Sequence, residues 1–208
     1  VNLRHLFACC LVSALLSGCA PLSSTTTAPV PQLNSERIEQ RFGSYHLALI
    51  SQSDSLRVSN LFSTHAGVAT TRTFAFVQFS STATDPAIGS VHQQILAGSS
   101  IGATFKKAGW KVTKQRHNFG TCEVAENSAH ATMIGDLMRL ELPAQLAFHS
   151  YELQVGKGQQ VISYAHLVEL HHPDYLRLAD LESIYPEPFA QSGSPEHTVQ
   201  QIMMTLPE

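Results

Sequence analysis

The chain has 208 residues, with 13 Lys and Arg against 16 Asp and Glu, eleven His, and a formal net charge of −3. That length supports one domain with a real core once short terminal segments are set aside. The slight acidic excess, with no basic run, argues against a nucleic-acid partner and against docking of the folded part on anionic lipid.

The N-terminus reads as an address. Arg4 gives a short positive start, Leu6 to Leu16 form an apolar run broken by one serine, and Ser17-Gly18 are small. These are the parts of a secretory signal. The run is too short to cross a bilayer of ~30 Å as a helix. Its ending, "LSGC", resembles the lipobox of bacterial lipoproteins. The resemblance implies that residues 1–18 are removed, that Cys19 carries a diacylglycerol on sulfur, and that its new amino group is acylated. Several acyl chains hold a protein on a membrane where one does not. Ala20 in place of Asp implies the outer membrane of a two-membrane bacterium, with the protein facing the periplasm. Residues 19–35, rich in Pro, Ser and Thr, read as the lipidated Cys and a flexible tether, and 36–208 as a single domain. Processing leaves Cys122 as the one free thiol, so an intramolecular disulfide is excluded and burial is expected.

In chain order, "SERIEQRF" (35–42) predicts a short helix, and 45–50 and 55–63 predict strands. Residues 72–80 are apolar on both sides and predict a central strand. Asp85-Pro86 is a helix start, and Ile88, Val91, Ile95, Ile101 and Phe105 follow at helical spacing. This predicts one long helix to Gly109, lying on the sheet with Gly98 and Gly102 at the closest approach. Residues 110–115 predict the next strand, and 130–142 a helix or irregular chain. Strands at 146–155 and 159–170 are joined by a turn at Lys157-Gly158. Short helices at 175–185 and from Ser194 end the chain. The expected fold is α+β: a mostly antiparallel sheet packed by one long helix, with short terminal helices.

In that hairpin Tyr151 should face Tyr164, and His149 should face His166 on the buried side. Two sets of residues could carry chemistry. "GSSIG" (98–102) fits G-x-S-x-G, which would make Ser100 a nucleophile with Asp136 and then His149 or His166 behind it. A helical approach to Ser100 and the lack of a second Gly-rich segment argue against this. His149, His166, His171 and His172 could converge on a zinc ion. No cofactor motif stands out, and "GSSIGAT" lacks the lysine of a phosphate loop. The expected role is therefore a lipid-anchored binding or assembly-accessory domain in the cell envelope. Its partners would be the membrane, through lipid, and a protein of the envelope. An envelope serine hydrolase or a histidine-based metal binder are the alternatives.

Overall fold

A computed structural model of the chain describes residues 33–127 and 131–185. Cys19, the tether up to residue 32 and the helix expected from Ser194 lie outside the described residues.

Helix α1 (Asn34–Phe42) leads into β1 (His46–Gln52), β2 (Leu56–His65) and β3 (Val68–Phe79). Two short 3-10 turns then precede α2 (Gly89–Leu96) and α3 (Ile101–Lys107). After them come β4 (Lys111–Val124), α4 (Ala131–Met138), β5 (Ala144–Lys157), β6 (Gln160–His171) and α5 (Leu178–Ile184). The six strands form one sheet in the order β1-β2-β3-β6-β5-β4, and every neighbouring pair is antiparallel. The α+β antiparallel architecture is as the sequence predicts. The two central strands, β3 and β6, are apolar on both sides because both faces of the sheet are covered.

The one long helix does not form. Ile88, Val91, Ile95 and Phe105 are buried as the spacing requires, but the segment breaks twice. Pro86–Ile88 is a 3-10 turn whose Ala87 N–H is accepted by the Asp85 carboxylate. Gly98 has φ +102°, and Ser100 is extended, so the chain changes direction between α2 and α3. A left-handed residue stops a helix, and glycine takes that conformation without strain. The two glycines do not form a flat patch on the sheet. Gly98 is the stop itself, and a Cβ on Gly102 would meet Leu33 at 2.8 Å, so α3 packs against the entry to α1.

The sheet separates two unlike layers. One face carries Val58, Phe74, Phe76, Leu146, Phe148 and Leu170 against Ile134 and Met138 of α4, an apolar core. The opposite face carries two apolar clusters. One lies under α2 and α3, around Ile95, Phe105, Tyr164 and Leu153. The other lies under α1 and α5, around Ile38, Leu61, Tyr175 and Leu181. Between those clusters runs a seam of polar side chains on the sheet: Arg57, Ser59, Lys114, His149 and Glu169.

The β5–β6 hairpin does not start in the expected register: Val155 faces Ile162 rather than Gln160, a shift of two residues that leaves the same side chains sharing a face. A bulge then slips it: Gln154 faces Ser163, but Leu153 faces Ala165. An extra residue on one strand inverts which side chains share a face beyond it. His149 therefore faces Glu169, and His166 faces Glu152 on the other side of the sheet, where it is exposed. The expected His149–His166 pairing is overturned. The slip lets Tyr164 point inward, where its hydroxyl meets His92 Nδ1 at 2.8 Å and its ring packs edge-on to Phe105.

Candidate functional site

The polar seam is built from alternate positions of five strands, and its centre is a chain of contacts. Thr73 Oγ1 lies 3.0 Å from His171 Nδ1. His171 Nε2 lies 2.8 Å from His149 Nδ1. His149 Nε2 lies 3.1 Å from Glu169 Oε2, and Lys114 Nζ is 3.6 Å from the same oxygen. Tyr151 supports the row from below, stacked on the His149 ring at 5.0 Å with the Lys114 ammonium 4.2 Å from its centroid. Tyr185, at the end of α5, closes over His149, and Arg116 sits on the Tyr185 ring.

All three central residues are buried. Burial pushes the His149 imidazole well below its ordinary pKa, and the neighbouring His171, Lys114, Arg37 and Arg116 push the same way. Burial lowers His171 to about 4, against the pull of Glu169. Both rings are neutral at pH 7. The Tyr151 hydroxyl is raised by burial and by Glu169, so it stays protonated.

Beside this row the seam opens into a cleft of about 70 Å³, between the start of α1 and the start of α3. That is several times the ~10–15 Å³ that one water needs. Asn34, Tyr45, Arg57, Ser100, Lys114 and Glu169 are among the residues that line it. An ion pair of 2.8 Å between Glu36 and Lys106 joins α1 to α3. Arg57 spans from β2 to the helix break, where its Nη1 donates to the carbonyls of Ile95 and Ser99 at 3.0 and 2.9 Å. Four atoms around the cleft are buried with no well-aligned hydrogen-bond partner among the described residues: Asn34 Nδ2, Tyr45 Oη, which sits beside the Ser100 side chain, Arg57 Nε and Glu169 Oε2. Buried polar groups are rarely left so, since each costs ~1–3 kcal/mol.

The sequence-predicted residues divide between the two faces. Ser100 lies in the seam, at the extended residue before α3, and no strand runs into it as a nucleophile elbow requires. Asp136 is exposed on α4, which packs on the far face, while His149 is buried on the near one. The sheet therefore stands between the acid and the other two members, and Ser100, Asp136 and His149 do not assemble. Of the four candidate metal ligands, His149 and His171 meet. His166 is exposed on the far face, and His172 is buried in the turn after β6, where its Nδ1 accepts the Asp174 N–H.

Glu169, the acid of the cluster, was missed because the bulge decides its face. The signal was a lone carboxylate inside the apolar run "HLVELHH". Cys122 is half-buried beside the α4 core, and burial pushes its thiol up to about 11, which makes it a poor nucleophile. Among the described residues no helix is long and apolar enough to cross a membrane. Comparison of the chain with protein-family models, with curated proteins and with solved structures returned no match.

Proposed function

We propose that the chain is a lipoprotein held on the outer membrane by lipid on Cys19, facing the periplasm, whose folded part binds a carboxylate-bearing ligand in the cleft. The "LSGC" ending of an apolar run supports the anchor. The ligand rests on one observation, the set of buried polar atoms without a well-aligned partner on residues that line a single cleft. Three of the four can donate: Asn34 Nδ2, Arg57 Nε and the Tyr45 hydroxyl. Burial raises the pKa of Tyr45, which keeps it protonated and a donor at neutral pH. The matching occupant is rich in acceptors and negatively charged, since Arg57 and Lys114 outweigh Glu169 on the walls. A carboxylate suits a guanidinium edge. Its two acceptor oxygens match the three donors more closely than the four oxygens of a phosphate, which would bring a further oxygen against Glu169. The carboxylate can belong to a free small acid or to a protein of the envelope.

Thermal unfolding of the full chain in detergent tests this with acetate, glycine and inorganic phosphate as probes. Acetate or glycine should raise the midpoint at millimolar concentration, and phosphate should not. Tyr45→Phe should lose that shift while the probe-free protein is as stable as the parent or slightly more so, because a buried, poorly partnered hydroxyl has been removed. Crosslinking in intact cells separates the two sources: a captured protein lost in Tyr45→Phe marks a protein-borne carboxylate. No shift with any probe and no captured protein would contradict the reading.

A further inference from the structure

We propose that His149 Nε2 and Glu169 Oε2 are the protein ligands of a divalent metal site of the zinc type beside the cleft, with His171 as its positioning residue. The two atoms stand 3.1 Å apart, both are buried, and neither has a hydrogen-bond partner among the described residues. The pair is close enough for a hydrogen bond and is not aligned for one. Zinc bonds of ~2.0–2.2 Å place neighbouring ligand atoms roughly 3.0–3.5 Å apart, which is the separation seen. Ligand atoms from His149, Glu169 and His171 all fall within 4.8 Å of one another, the one such cluster among the described residues.

The outer contacts suit this role. A ligating histidine gives its other ring N–H to a fixed acceptor, which sets the tautomer and the ring angle. His149 Nδ1 has that partner in His171 Nε2 at 2.8 Å, and His171 Nδ1 in turn has the Thr73 hydroxyl at 3.0 Å. With the protons placed along that row, His149 presents a bare Nε2 lone pair toward a carboxylate oxygen. Two lone pairs at 3.1 Å repel unless a cation holds both. Tyr185 and Tyr151 keep bulk water from the ring. Glu169 also lines the cleft, so on this proposal water or an anion there supplies the remaining ligands.

Lys114 is the built-in competitor. Its ammonium lies 3.6 Å from the same Glu169 oxygen, on the edge strand β4. A metal replaces one cation by another. The structure thus predicts an unusual direction: removing Lys114 improves metal binding.

The test is titration of the full chain in detergent with Zn²⁺ alone, by calorimetry, and with Co²⁺ alone, by its visible spectrum. One equivalent should bind. Glu169→Gln and His149→Gln should each weaken binding at least tenfold, and Lys114→Met should tighten it by a similar factor. His166→Gln, on the far face, should change nothing. His171→Leu should weaken binding and His171→Gln should restore it, since the amide carbonyl can accept the same N–H. Absence of a stoichiometric site in both the parent and Lys114→Met would overturn the proposal. So would binding that survives in both Glu169→Gln and His149→Gln. If those two variants do not fold, Lys114→Met decides alone: tighter binding supports the site, and unchanged or weaker binding overturns it. Zinc binding with no probe shift and no captured protein would remove the carboxylate reading and leave this one standing.

Discussion

Glu169→Ala should lower the unfolding free energy by about 3–5 kcal/mol, the range seen when one partner of a buried ion pair is removed. Glu169 and Lys114 are both nearly sequestered, with side-chain exposures of 5% and 11%. Alanine leaves the Lys114 ammonium beside the Tyr151 ring with no counter-charge. It also leaves His149 Nε2 facing an empty volume. The loss comes from the stranded charge more than from the missing contact, so it should be recoverable. The double variant Glu169→Leu with Lys114→Met removes both charges and fills the space, and should regain most of the lost stability. Urea unfolding of the single and double variants checks this. A double variant as unstable as the sum of its parts would show that the seam is held by packing alone.

Acid should unfold the protein well above the pH at which its carboxylates titrate. Burial lowers four histidines, His92, His149, His171 and His172, below their ordinary value. Near neutral pH these rings are uncharged in both states. Below the ordinary histidine pKa of ~6.5, the unfolded chain takes up protons that the folded chain refuses. Stability is therefore fully present above that pH and falls as pH drops through it. For His171 the window runs from ~6.5 down to about 4. Each refused proton contributes a slope of up to ~1.4 kcal/mol per pH unit. His149 and His171 together should cost on the order of 5 kcal/mol by pH 4–5, a large share of the stability of a typical domain. Urea unfolding at pH 7.5, 6.0 and 5.0 should give falling midpoints. A flat or rising profile would mean that the rings protonate within the folded state.

The elements were legible where pattern and punctuation agree. Apolar alternation in β3, β5 and β6, the Asp85-Pro86 start and the Gly109 stop all mark true boundaries, because burial on a sheet face and glycine at positive φ are local demands. Ser35 to Phe42 is helical as its pattern says, and Gly43 ends it at φ +76°. The misses share one cause. A period of two is blind to an inserted residue, so the bulge at Ser163–Tyr164 moved His166 to the far face and brought Glu169 and His171 beside His149. Helical spacing is blind to a stop in the same way. Ile95 and Ile101 lie on one buried layer although Gly98 turns the chain between them. Strand β4 continues to Val124 through a stretch with no clear alternation, because a bulge at Arg116–Asn118 breaks its period too. The cleft has no linear signature: Asn34, Tyr45, Arg57 and Glu169 meet only because α1 and α3 leave a gap over the sheet.

Native mass spectrometry of the full protein, extracted from cell membranes in mild detergent, tests the central claim most directly. The account predicts a chain that begins at Cys19 with the added mass of its acyl chains. A further bound mass, a small acid or a partner protein, should be present in the parent and missing in Tyr45→Phe. A chain that retains residues 1–18 without lipid, or a lipidated parent that carries no more bound mass than Tyr45→Phe, would contradict it.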